Sequence, residues 1–128
     1  MIDFKMTAWF TVPLAALYVA LIVQVILHRR SQRVAYGDGE DKRLRGAIRA
    51  QVNAGEQIPI FLAVFALVEA TAGASAWLAL IGLAFVAGRA MHAYAMSLGV
   101  HFFRVIGTAT NLSALILVIG TLLVGLLF

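Results

Sequence analysis

Cysteine is absent from the chain, which removes disulfides, thiolate metal sites and a cysteine nucleophile of the protein's own. Any thiol chemistry would need a thiol brought in by a ligand. Charge is scarce as well: 12% of the residues are charged, against about 25% in a typical soluble domain. With 62% of residues hydrophobic and a mean hydropathy of +0.95, this balance excludes an ordinary soluble globular domain and points to a membrane protein. The three histidines are scattered and no HxxxH spacing occurs, so no metal site is expected. The 128 residues leave no room for a separate soluble catalytic domain, and a single domain over 1–128 is expected. Any site must therefore be assembled from membrane helices and their short connections.

Four apolar stretches approach the ~20 residues that a bilayer-spanning helix requires, over 9–27, 47–72, 75–98 and 107–128. The expected fold class is all-α, an integral membrane four-helix bundle. The first connection, 28–45, is the only long polar stretch. Its Tyr36–Glu40 segment reads as a solvated turn, because its carboxylates lack the ligand spacing of a calcium loop and Lys42 and Arg43 follow at once. The second connection is short and uncharged, and the third, 99–106, carries His101 and Arg104.

The net charge of +4 is explained by topology better than by nucleic-acid binding, since the basic residues crowd beside the spans. Arg29, Arg30, Arg33, Lys42, Arg43 and Arg45 lie between spans one and two and Arg104 between three and four, whereas Lys5 stands alone on the opposite side. By the positive-inside rule both termini are expected outside the cytoplasm, with Trp9 and Trp77 at the outer interface. The Leu14–Leu27 core runs into Arg-rich sequence without a clear small-x-small site, so it reads as a retained span and not as a cleaved signal peptide. Small residues in spans three and four (Ala79, Gly82, Ala87, Gly120, Gly125) would allow close helix approach.

Two polar constellations interrupt these spans: Arg49-Ala50-Gln51-Val52-Asn53-Ala54-Gly55-Glu56, running into Ile58-Pro59-Ile60-Phe61-Leu62, and Gly88-Arg89-Ala90-Met91-His92. Ionisable side chains at membrane depth cost roughly 2.5–3.5 kcal/mol each on insertion scales, so they face a cavity, a partner or a ligand. On a helix, Arg49, Asn53 and Glu56 fall within about a 60° arc, while Gln51 points elsewhere. Arg89, His92 and Met96 likewise share a face, and Arg89 and Glu56 are expected at similar depth, facing each other. A purely structural network would pair Glu56 with Arg89 and let Arg49 snorkel to the inner interface. The set exceeds what one helix contact requires, and it suits a zwitterionic ligand: arginine for carboxylates, Glu56 for an ammonium, Asn53 for peptide amides. Arg104, placed just before span four, is either a positive-inside anchor or a stabiliser of an anion such as a thiolate, helped by the helix dipole. His101 reads as a surface or interface residue and His28 as an inner-interface one. Glu69 is off the polar face and is expected to snorkel outward or to contact a neighbouring subunit.

These residues resemble the MAPEG superfamily, the membrane-associated proteins in eicosanoid and glutathione metabolism. Arg49 to Asn53 with Glu56 and Pro59-Ile60-Phe61-Leu62 is similar to the second-helix motif of the leukotriene synthase type. Gly88-Arg89-x-x-His92 is similar to the third-helix motif of the microsomal prostaglandin E synthase type. Arg33-Val34-Ala35-Tyr36-Gly37-Asp38-Gly39 resembles the small bacterial inner-membrane branch, of the YecN-like kind. The resemblance implies a homotrimer with glutathione held between subunits near the cytoplasmic face. Arg49, Asn53 and Glu56 would hold the tripeptide, Arg89 and His92 would contribute from span three, and Gln51 with Arg29 or Arg30 would serve the adjacent site. Arg104 would stabilise the glutathione thiolate, and the acceptor would be a lipophilic small molecule entering from the bilayer lipid. The chain departs from the eicosanoid-forming pattern at Gln57 and Met96, where those members carry tyrosines. Glutathione binding with transferase or peroxidase activity is thus the leading expectation. A non-catalytic scaffold that binds lipid or a partner, and a small multidrug exporter relying on Glu56 or Glu69, stay open.

Overall fold

The computed structural model describes residues 3–127. It consists of α1 (Lys5–Gln32), α2 (Lys42–Ala72), α3 (Ala76–Leu98) and α4 (His101–Leu127), each long and apolar enough to cross a membrane. The chain is an integral membrane four-helix bundle. The final residue of the expected fourth span lies outside the described residues.

The helices outrun the apolar stretches at the charged end. α1 continues past His28, with the cations Arg29 and Arg30 in its last turn suiting the negative end of a helix dipole, and stops at Arg33, which adopts a left-handed conformation (φ 54°). α2 starts at Lys42, where the Asp41 carboxylate caps the Leu44 amide at 2.6 Å. The expected polar loop of 28–45 thus shrinks to 33–41. Inside it, Arg29 Nη1 donates to the Gly37 carbonyl at 2.8 Å, and Arg45 pairs with Asp38. The third connection contracts likewise: Gly99 (φ 72°) ends α3, and α4 begins at His101 instead of 107. Backbone hydrogen bonding needs no apolar side chains, so helices project past the hydrocarbon layer that hydropathy detects.

Between apolar helices in lipid, shape complementarity replaces hydrophobic expulsion as the organising force. Phe61 of α2 stacks on Phe85 of α3 with ring centroids 3.7 Å apart, and Phe10 of α1 meets Phe65 edge-on. α3 packs most extensively on α4, and α1 on α2; α1 and α4 do not meet among the described residues. The close α3–α4 approach is made by Gly88 and Gly107, not by the small residues expected. A Cβ on Gly107 would lie 2.8 Å from the His92 amide nitrogen and 2.9 Å from the Gly88 carbonyl oxygen. Gly120 and Gly125 face open space, and Gly82 accommodates the Phe10 ring.

Glu69 also departs from expectation. It neither snorkels nor faces outward but is 5% exposed. Its carboxylate accepts hydrogen bonds from the Met6 and Thr7 amides at 2.8 and 2.7 Å and from Thr7 Oγ1 at 2.6 Å. Phe4, the residue preceding α1, offers no side-chain cap, so α2 supplies one from the other end of its span.

Candidate functional site

The α2 segment after Arg45 winds as regular helix, so Arg49, Asn53 and Glu56 emerge on one side, flanked by Ile48 and Val52. α3 contributes His92 and Met96 to the same space, and Arg104 reaches it from α4. Together they line a cavity of about 360 Å³. A second recess of about 260 Å³ adjoins it toward the charged end, sharing Arg49, Met96 and Arg104 and adding Lys42 and His101. Five of the candidate site residues expected from sequence, Arg49, Asn53, Glu56, His92 and Arg104, thus converge on one space.

The charges of this space are uncommitted. Among the described residues the ion pairs are Lys5–Asp3 and Arg45–Asp38, so Glu56 has no cationic partner and Arg49 and Arg104 have no carboxylate. The Arg45 guanidinium holds the Asp38 carboxyl below the usual carboxylate range, which takes Arg45 out of the free cations around the second recess. A larger recess of about 790 Å³ lies between the N-terminal part of α1 and the C-terminal end of α2, lined by Trp9, Phe10 and Glu69. Its Glu69 carboxylate is occupied by α1, and its Asp3 and Lys5 pair with each other at 2.8 Å. Size favours that recess; free polar chemistry favours the smaller one.

Arg104 sits in the first turn of α4, not ahead of it, and its Nη2 donates to His101 Nδ1 at 2.6 Å. The positive end of the α4 dipole and the guanidinium therefore act at the same edge of the cavity. Met96 lines the wall at the position where the eicosanoid-forming pattern has a tyrosine, and Tyr94 is exposed on another face.

Arg89 corrects the expectation in two respects. It does not face Glu56, and it does not line the cavity. Its side chain is 2% exposed, behind the wall, where Nη1 donates to Asn53 Oδ1 at 2.9 Å and to the Asn53 carbonyl at 3.3 Å. The two helices are thus offset by about one turn from the expected register, roughly 5 Å along the axis. Gln51, Arg29 and Arg30 lie off the cavity: Gln51 Nε2 donates to the Tyr18 hydroxyl at 3.3 Å, Arg29 binds loop carbonyls and Arg30 is exposed.

Sequence reasoning missed Asn111. It is 1% exposed, lies against Gly88, and neither Oδ1 nor Nδ2 has a hydrogen-bond partner among the described residues. Its signal was an amide alone in an apolar span, itself a costly placement.

A profile described as the MAPEG family matches residues 7–124. The inner membrane protein YecN of Escherichia coli strain K12 is 35% identical over 114 residues, covering 88% of this chain and 86% of that protein. The protein of the same name from Escherichia coli O6:H1 strain CFT073 matches to the same extent.

Proposed function

Because this chain belongs to the MAPEG family, we propose that its α2–α3–α4 cavity binds glutathione and presents the thiol to a lipophilic electrophile. The observation that carries this reading is the set of free, opposite charges on one wall: Arg49 and Arg104 for carboxylates or a thiolate, Glu56 for the ammonium. A tripeptide zwitterion satisfies all of them at once. Beside Arg104 and the α4 N-terminus the thiol loses its proton to solvent more readily. In a transferase step the sulfur then forms the new carbon–sulfur bond while the leaving group departs with its electron pair. The acceptor reaches the site from the bilayer, which suits the apolar Ile48, Val52 and Met96 of the wall.

The same reading takes the chain as an inner-membrane homotrimer with both termini outside the cytoplasm. Gln51 with Arg29 or Arg30 would complete the site of the neighbouring subunit, which accords with their position off this subunit's cavity. A second reading, ligand binding without turnover, is favoured by Met96, since no tyrosine hydroxyl lines the wall to assist a reacting group.

Calorimetry with glutathione on detergent-purified protein tests the proposal. Wild type is expected to give a saturating heat, and Glu56→Ala to weaken binding at least about tenfold, the loss of one charge-assisted contact. Absence of saturation in wild type overturns it. Turnover of a model electrophile by wild type but not by Arg104→Ala separates transferase from mere binder.

A further inference from the structure

Asn53 meets two environments at once, a buried guanidinium behind it and the cavity in front. An arginine side chain has only N–H donors. The oxygen of the Asn53 amide must therefore point back at Arg89 Nη1, 2.9 Å away, and the backbone carbonyl of the same residue accepts the second contact of that nitrogen at 3.3 Å. The reversed amide would set N–H groups against N–H groups in a nearly water-free position. With its oxygen turned toward Arg89, Nδ2 is the amide atom left free of that contact, a donor for the cavity that Asn53 lines.

We propose that Arg89 is a positioning residue that locks Asn53 as a hydrogen-bond donor toward the cavity, so that the site selects a ligand with a carbonyl or carboxylate oxygen at that point. The selection is consistent along the wall. Arg49 and Arg104 also only donate, and Glu56 is the one carboxylate among the lining residues. Arg89 itself has no carboxylate within pairing distance, and its Nε and Nη2 have no partners among the described residues. Its charge therefore adds to a potential that favours anions in the adjoining cavity. The pattern reads as one carboxylate, Glu56, among the donors Arg49, Arg104 and Asn53, with the His92 imidazole able to donate or accept: an anionic ligand with a single ammonium. This inference deepens the glutathione reading and rests on it for the identity of the ligand, although the Arg89–Asn53 lock does not.

Asn53→Asp is the discriminating change. It keeps shape and strengthens the contact with Arg89, but turns the cavity-facing nitrogen into an oxygen. In ligand-free protein in detergent, Asn53→Asp is expected to melt at or above wild type, and to lose that advantage in an Arg89→Met background. Arg89→Lys, which can still donate one bond, is expected to retain most of the wild-type melting temperature. In calorimetry Asn53→Asp is expected to weaken glutathione at least about tenfold, as an oxygen now faces an oxygen. A general structural role would not lower affinity while raising stability. Two outcomes overturn the inference: Asn53→Asp lowering the melting temperature equally in the wild-type and Arg89→Met backgrounds, or binding glutathione as wild type does. If wild type itself shows no binding, the glutathione reading falls, and the melting comparison alone decides the lock.

Discussion

A buried carboxylate and a buried guanidinium do different jobs in this bundle, and each follows from what surrounds it. Glu69 ends at backbone amides, so its charge is spent on helix capping. Glu69→Ala strands two α1 amides and is expected to cost about 1–3 kcal/mol, read as a lower melting temperature in detergent. Glu69→Gln, retaining one acceptor, should lose less, and glutathione affinity should stay unchanged in both because the cavity is remote. Arg89 ends at an amide side chain and acts by orienting it. Both residues stand out in the sequence as ionisable groups at membrane depth. Their partners do not, because the residues they touch are 62 or more positions away for Glu69 and 36 for Arg89. From sequence, Asn53 reads as a peptide-amide contact; that its oxygen turns to Arg89 and leaves Nδ2 as the free donor becomes visible once Arg89 is seen behind it.

At the scale of helices, the site depends on how closely α3 and α4 approach, since His92 is on one and Arg104 on the other. Gly107 sets that distance against backbone atoms of His92 and Gly88, which have no rotamer to yield. Gly107→Ala is expected to destabilise the protein by about 1–3 kcal/mol and to weaken glutathione as Arg104 is displaced. Gly120→Ala, whose Cβ would meet nothing within 4 Å, should leave melting and binding as they are. Hydropathy located all four helices because a bilayer demands a continuous apolar stretch with internally satisfied backbone. It misjudged their charged ends, where Asp41 and Gly99, one a side-chain cap and one a left-handed turn, decide the boundaries.

For the molecule as a whole, the cation asymmetry across the membrane predicts the orientation. With no native cysteine, single introduced thiols give an unambiguous readout. Ala74→Cys, between α2 and α3, should react with a membrane-impermeant maleimide in intact spheroplasts. Tyr36→Cys, at a position 92% exposed in the first connection, should react only after permeabilisation. The reverse pattern would invert the topology and place the cavity mouth outside the cytoplasm.

Composition, span lengths and the helical spacing of Arg49, Asn53 and Glu56 were sufficient by themselves for a four-span bundle with a polar face on α2. The reason is that lipid penalises charge, and a helix repeats its faces at a constant angle, so both signals are local in the chain. Tertiary structure alone decided which charges remain free. Register between α2 and α3 withdrew Arg89 from the cavity and left Glu56 unpaired, and close glycine packing brought Arg104 within reach. Such outcomes depend on how side chains of different helices interdigitate over a few ångströms, a property that no single helix carries in its own sequence.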